Sequence, residues 1–303
     1  MSSVLTLIAS KAKAPLPESL VDAVAQAMRA EGLEPGKTDW LAPEEAADIA
    51  FTGERGAALA AARSIIGEAP IDAAALPAEG RRKRLLIADM DSTLIDQECI
   101  DELAAEAGIG EKVAEITARA MAGEISFEPA LRERVSLLKG LPVSVARRLL
   151  DTRITLKKGG GTLVATMKAA GAHTVLVSGG FTIFAAEIAR RLGIDEFHAN
   201  RLEESGETFT GSVAEPILGR DAKVSTLQAT LARLGLEASG ALAVGDGAND
   251  AGMVELAGLG VALHGKPALS RIADADIRHG DLSSLLYLQG FRREEFTVPG
   301  ARA

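Results

Sequence analysis

Three short apolar runs constrain this chain more than anything else in it: residues 85–88, 174–177 and 241–244, each leading into Asp or Ser and then into turn-forming residues. A strand with one wet face alternates apolar and polar side chains. A nearly continuous apolar strand is buried on both faces, as in a parallel sheet covered by helices. Helical patterns over 162–170, 183–192 and 223–234 lie between the runs. Right-handed crossovers then give an α/β fold with a doubly wound, Rossmann-like parallel sheet. Weaker strands are expected over 260–263 and near Ile277. Aromatic residues make up only 3%, so the core must be filled by Ala, Leu, Val and Ile.

The chain has 303 residues, more than one such sheet needs, and the surplus falls in two places. Residues 1–80 read as a strand, a helix, strands around Trp40 and 49–51, a helix over 55–66 and a weak strand near Ile71. That order resembles a small ACT-like α+β module. The stretch 73–84, Ala-rich and ending in Arg81, Arg82, Lys83 and Arg84, reads as a linker whose basic end is a solvated charge run. Residues 96–155 are helical throughout, and a crossover needs only one helix, so they read as an inserted cap. The expected division is 1–80 for the N-terminal module, 81–95 and 156–295 for the core, and 96–155 for the cap. Gly159, Gly160 and Gly161 are expected to be a flexible joint at the return to the core.

A net charge of -9 argues against a broad nucleic-acid surface and leaves room for a small anion held by local donors. With Cys99 alone there is no intrachain disulfide and no multi-cysteine metal site, which suits a reducing compartment. The first residues lack the basic and apolar blocks of a signal peptide, and no apolar run approaches the roughly 18 residues of a membrane span, so the cytoplasm is expected. His173, His198, His264 and His279 show no metal or hydrolase spacing.

The chemistry sits where the three main strands end. There the sequence reads Asp89-Met90-Asp91-Ser92-Thr93, Ser178-Gly179-Gly180 and Gly245-Asp246-Gly247-Ala248-Asn249-Asp250, and the 223–234 helix opens with Lys223. Ligands of open parallel sheets bind outside the carboxyl ends of the strands, so these groups converge on one crevice. Magnesium takes oxygen ligands, commonly one or two carboxylates plus substrate phosphate. Lysine and backbone N–H groups neutralise phosphate oxygens. One carboxylate, Asp89, can attack phosphorus, and a second, Asp91, can give a proton to the leaving oxygen.

In that order and placement, Asp-x-Asp-x-Thr, Ser-Gly, Lys and Gly-Asp-Gly-x-Asn-Asp resemble the motifs of the haloacid-dehalogenase-like hydrolase superfamily. The resemblance implies Asp89 as nucleophile, Asp91 as general acid/base, and Mg²⁺ held by the Asp89 side chain, the Asp91 carbonyl and Asp246. It puts Ser178, Gly179, Lys223 and Asn249 around the phosphate, with Asp250 behind them. Over about 85–286 the chain further resembles the phosphoserine phosphatase family, through Asp91-Ser-Thr-Leu-Ile followed by Glu98, the cap segment 132–140, Val177-Ser-Gly-Gly-Phe181 and Ala199-Asn200-Arg201-Leu202. That implies a small phosphorylated amino acid as partner, no nucleic acid or membrane, and the last step of serine biosynthesis. Glu98 would meet the substrate ammonium and Arg134 the carboxylate, with Phe127 closing the pocket and Met121 lining it. The ACT-like resemblance of the N-terminal module implies either amino-acid binding or a homodimer formed through it. Rival readings are a phosphatase for another small ester such as phosphohomoserine, a phosphotransferase, and a non-enzymatic phosphate sensor.

Overall fold

Residues 2–10, 13–121 and 124–298 are described by a computed structural model, in which two sheets and a hairpin organise the chain. The first sheet comes from β1 (Ser2–Ala9), α1 (Glu18–Ala30), β2 (Glu34–Ala42), β3 (Ala46–Thr52), α2 (Arg55–Ile66) and β4 (Ile71–Pro77). Its antiparallel order β2-β3-β1-β4 is that of a split βαβ unit. Leu5 and Leu7 of β1 pack with Val21, Val24 and Met28 of α1 and Ala58 and Ala62 of α2. Val4 and Ile8 point the other way, into a cluster shared with Leu163, Met167, Tyr287 and Leu288. Both faces of β1 are therefore buried, which is why it reads as an unbroken apolar run.

That second face changes the reading of 73–84. Residues 73–77 are not linker but the body of β4, paired with β1 from Ser3↔Pro77 to Ala9↔Ile71. The basic end is solvated only in part, with Arg82 and Arg84 exposed and Arg81 and Lys83 drawn inward. Arg81 donates to Asp48 on β3, to Thr6 on β1 and to the carbonyls of Tyr287 and Leu288. Those carbonyls end the short helix Ser284–Leu288, where helical acceptors lack intrahelical partners and draw in a cation. Arg82 pairs with Glu295 and stacks 4.1 Å over the Phe291 ring. Lys83 donates to the carbonyls of Gly80 and Ser239. From the other side, buried Asp72 accepts the backbone N–H groups of Arg278, His279 and Gly280.

The second sheet begins at β5 (Leu85–Ala88) and is interrupted by α3 (Cys99–Glu106), α4 (Gly110–Met121), α5 (Phe127–Ser136) and α6 (Val143–Thr152). The chain then returns through α7 (Gly160–Ala169), β6 (His173–Phe181), α8 (Thr182–Leu192), β7 (Glu196–Asn200), the hairpin β8 (Leu202–Ser205) and β9 (Thr208–Val213), and α9 (Arg220–Leu234). It finishes with β10 (Ala241–Gly245), α10 (Ala251–Leu256), β11 (Leu259–Leu263) and β12 (Ala275–Ile277). The strand order is β12-β11-β10-β5-β6-β7, every pairing parallel. Chain order reverses between β5 and β10, the switch point at which such sheets bind ligands. Among the described residues no helix is long and apolar enough to cross a membrane.

Three details depart from expectation. Gly159 is no flexible joint: at φ 81° it lies so close to the 281–283 loop that a Cβ there would stand 2.4 Å from Asp281 Oδ1 and from Ser283 N. Helix α9 starts at Arg220, so Lys223 lies one turn inside it rather than at its opening. The β8–β9 hairpin, which falls within the span expected to be core, docks on the cap helices. Phe209 on β9 is buried, its N–H donates to Leu141 O and its carbonyl accepts from Gly140 N, while Val143 N donates to Glu207 O.

Replacing Arg81 by Ala leaves Asp48 buried without its cation, a change that typically costs about 3–5 kcal/mol. A chemical denaturation curve of Arg81→Ala should show a loss of that size. A loss below about 1 kcal/mol would mean that the clasp is solvated after all.

Candidate active site

Asp89 and Asp246 follow the two central strands. Asp89 N donates to Val244 O at 3.0 Å, which continues the β5–β10 pairing one residue past the last paired positions. Its Oδ1 accepts from Met90 N at 2.7 Å, and its Oδ2 faces Lys223 Nζ at 2.7 Å. Asn249 Nδ2 reaches the same Oδ2 at 3.3 Å. Lys223 is buried and also meets Asp250 Oδ1 at 2.5 Å. Asp250 Oδ2 accepts the N–H groups of Asp246 and Gly247 at 3.1 and 3.0 Å. Only glycine fits at 245, since a Cβ there would lie 2.3 Å from Asp250 Cγ. Burial, then the charge of Asp250, push the Asp89 carboxyl well above its ordinary range, against the pull of Lys223. Burial works against the Lys223 ammonium, but Asp89 and Asp250 outweigh it and raise its pKa, so the lysine stays charged.

Asp91 lies one turn beyond, in a loop bent by Ser92 at φ 57°. Its Oδ1 accepts from Cys99 N at 3.0 Å, and its Oδ2 is 3.5 Å from Ser178 Oγ. Burial raises the Asp91 pKa, opposed first by hydrogen bonds from Cys99. Ser178 Oγ in turn accepts Gly180 N at 2.8 Å. Asn200, at the end of β7, ties two loops together by donating to the carbonyls of Gly179 and Leu218 and accepting Leu218 N. Glycines at 179 and 219 leave room for the Phe127 ring, whose atoms would stand 3.1 and 3.3 Å from added Cβ atoms.

Above this floor the cap closes a cavity of about 150 Å³ lined by Asp89, Asp91, Ser178, Gly179, Asp246 and Asn249 below and by Glu98, Phe127 and Arg134 above. The Glu98 carboxyl is pushed up to about 7, chiefly by burial and then by Asp91, while a hydrogen bond from Ser92 Oγ at 2.7 Å opposes the shift. Arg134 bonds weakly to Ala130 O and Thr117 Oγ1. Burial lowers its pKa against the charges of Asp101 and Glu98. The sequence-derived residues thus gather in one place, with two qualifications. Lys223 and Asp250 lie beneath the cavity rather than in its wall, and the side chain of Met121 lies outside the described residues.

Sequence reasoning missed Lys266, Ile100 and Leu131 in that wall. Lys266 Nζ is 3.3 Å from Asp246 Oδ2, and its N–H donates to Asp246 O at 2.8 Å. The signal was present: Gly265-Lys266-Pro267 follows the apolar end of β11 and obeys the same strand-end rule as the other loops. Ile100 and Leu131 carry no sequence mark beyond helical spacing.

The donor set fits a hard divalent cation. Carboxylate oxygens of Asp89, Asp246 and Asp250 lie within 4.8 Å of one another, all three residues are buried, and among the described residues Lys223 is the buried cation facing them. Negative charge is in surplus there, which a buried cluster tolerates only with a further cation. Both oxygens of Asp250 and both of Asp89 are already engaged, so a cation would share an Asp89 oxygen with Met90 N or with Lys223, whereas the Asp246 side chain meets the exposed Lys266.

These features coincide with those of known proteins. A family model for haloacid dehalogenase-like hydrolases matches residues 86–255. A phosphoserine phosphatase of Archaeoglobus fulgidus is 44% identical over 205 residues, which are 68% of this chain and 59% of that protein. A haloacid dehalogenase family hydrolase from Salmonella enterica serovar Typhi superimposes with a TM-score of 0.82 at 28% identity, covering 94% of this chain and 98% of its own. A probable phosphoserine phosphatase from Vibrio cholerae does so with a TM-score of 0.79 at 30% identity, covering 97% and 88%. The chain belongs to the haloacid dehalogenase-like hydrolase family. The match spans 59% of the length of the Archaeoglobus relative, whereas the two solved structures match nearly all of this chain, N-terminal sheet included.

A Gly245→Ala variant tests the packing around Asp250. Overfilling of this kind costs about 1–3 kcal/mol. The melting temperature should drop, and calorimetric titration should show weakened Mg²⁺ binding, because a displaced Asp250 no longer holds the 246–247 backbone. An unchanged melt would show that the site has slack.

Proposed function

We propose that this chain is a phosphomonoesterase that converts O-phosphoserine into serine and phosphate through an aspartyl phosphate on Asp89. The observation that carries the reading is one cavity with acids of two kinds. Asp89 and Asp91 lie at its floor beside Lys223 and Ser178, while Glu98 and Arg134 lie at its roof. A zwitterionic amino acid needs one anion and one planar cation set apart from its phosphate. The names carried by the Archaeoglobus and Vibrio proteins support the same substrate. The division of the chain into 1–80, a core of 81–95 and 156–295, and a cap of 96–155 serves this reading, with the 202–213 hairpin acting as part of the cap.

In the proposed cycle Glu98 takes the substrate ammonium and Arg134 its carboxylate, under Phe127. Ser178, the Gly179 N–H, Asn249 and Lys223 surround the phosphate oxygens. Asp89 attacks phosphorus in line while Asp91 gives its proton to the departing serine oxygen. Asp91, now charged, draws a proton from the water that hydrolyses the aspartyl phosphate. We assign Mg²⁺ to Asp89, Asp246 and the Asp91 carbonyl, where it would offset the charge of the nucleophile and of the transferring group. Lys223 keeps Asp89 and Asp250 apart as charges and fixes the direction of the Asp89 carboxylate. The cap shuts out bulk water and aligns the ester through its amino-acid end. Self-association through the N-terminal module would use the α1/α2 face or the β2 edge, because the opposite face of its sheet packs on the core. Light scattering on the intact chain tests it. Cytoplasmic residence is part of the same proposal, supported by the free, buried Cys99 and tested by fractionation.

Phosphate release from phosphoserine, phosphohomoserine, ethanolamine phosphate and an aryl phosphate, with Mg²⁺ or a chelator, is the deciding assay. Phosphoserine should lead, the chelator should stop turnover, and Asp89→Asn should lose at least about 10³-fold. Ethanolamine phosphate should lose kcat as well as KM, because remote contacts align the reacting end. If it turned over as fast as phosphoserine, the Glu98–Arg134 assignment would fall. If no ester reacted, the phosphotransferase reading would take its place.

Glu98 supplies a pH test. It attracts an ammonium only when charged, and its pKa is pushed up to about 7. Affinity is therefore full above that value and lost as pH falls through it. KM for phosphoserine should rise on the acid side, and Glu98→Gln should have a high KM with a flatter profile. The substrate's own second phosphate ionisation, near 6, affects both proteins equally. Identical profiles in the two would exclude Glu98 from the ammonium site.

A further inference from the structure

We propose that Cys99 is a positioning residue for the reaction: its backbone N–H and its thiol, at the first turn of cap helix α3, hold the Asp91 carboxyl so that Oδ2 is the oxygen presented to the leaving group. This assignment rests on the reading of Asp91 as the acid. The Asp91 side chain has a broad, weakly determined final torsion, so its direction must be imposed from outside. The structure supplies that constraint on one oxygen. Cys99 N donates to Oδ1 at 3.0 Å, and the Cys99 thiol, its pKa pushed up by burial and then by Asp91, stands next to the same carboxyl. The other oxygen faces the phosphate-side loop, 3.5 Å from Ser178 Oγ and so close to Gly180 that a Cβ there would stand 2.7 Å away. Cys99 itself is buried, so its donors have no competing water.

The location of the donor matters as much as its chemistry. Glu98 is the N-cap of α3 and Cys99 its first helical residue, so the N–H that holds Asp91 is one of the donors a helix start cannot satisfy internally. The acid on the core is thereby fixed by the seating of the cap's first helix, next to the residue assigned to the substrate ammonium. In the first chemical step an Asp89 oxygen bonds to phosphorus as the bond from phosphorus to the serine oxygen breaks. The electron pair stays on that oxygen, which takes the proton from Asp91. Misdirecting Asp91 should slow this step only for leaving groups that need the proton.

Proline at 99 removes the N–H and the thiol together. It is well tolerated at the first position of a helix, and Glu98 before it already has the extended conformation that a following proline requires (φ -99°, ψ 111°). The experiment is rapid-mixing kinetics of the full chain with Mg²⁺, following the first turnover with phosphoserine and with 4-nitrophenyl phosphate, whose leaving group departs without protonation. Cys99→Pro should form the phospho-enzyme about 10-fold or more slowly from phosphoserine, yet release the nitrophenolate burst within about 3-fold of the parent. Equal loss on both esters, or loss on neither, in a folded variant would overturn the assignment. Should the proline variant fail to melt cooperatively, Cys99→Ala and Cys99→Ser decide. A phosphoserine-specific loss in alanine that serine restores upholds the role, and indistinguishable variants overturn it. Asp91→Asn is the control: if it slows both esters alike, the acid reading itself fails and takes this assignment with it.

Discussion

One buried ammonium group holds the centre of this molecule together. Lys223 bridges Asp89 and Asp250, and Asp250 in turn orders the backbone of the loop that follows β10. Without that charge, the ends of the two central strands would bring like-charged carboxylates together in a site closed to water, where unpaired charge is costly. Gly245 follows from it, because the Asp250 carboxylate fills the space a Cβ would take. Packing and charge here are one constraint seen twice.

The strand-end placement of these groups explains why so much of the site is legible in sequence. Strand-end loops are short, and their chemistry-bearing residues are adjacent in the chain, so Asp89 with Asp91 and Asp246 with Asn249 and Asp250 declare themselves by spacing. The central strands 85–88, 174–177 and 241–244 are legible because burial on both faces leaves no polar position to blur the pattern. What could not be read lay where partners are far apart in sequence. Arg81 has the composition of a surface charge and acts as an internal tie, since its acceptors lie 33 to 207 residues away, two of them at the end of a short helix. The 202–213 hairpin is polar for most of its length and buries chiefly Phe209, Leu202 and Val213. Its place on the cap depends on hydrogen bonds to 140–143 that no local pattern announces.

The N-terminal module shows a related limit. Its order of elements was plain, but its role as a lid on the core was not. An apolar strand announces that both faces are covered without saying by what. Val4 and Ile8 find their cover on residues such as Met167 and Leu288, and Asp72 and Arg81 add directional bonds at two corners of that contact. The module and the core thus share one apolar interior.

The hairpin gives the roof a second root. A cap joined to its core only through 96 and 155 would swing as on a single hinge. Here the β8–β9 ribbon leaves β7 at Asn200, pairs with the cap at Gly140, Leu141 and Val143, and returns to the loop that Asn200 ties to Gly179. Any lifting of the roof would therefore pull on the strip of backbone at the cavity floor around Gly179, so the chamber would open as a gusset does, by stretching its fold. Such a mouth yields narrowly. On the proposed function such a mouth suits a free amino-acid ester, because a chamber of about 150 Å³ has no room for the chain that follows a side chain on a folded protein.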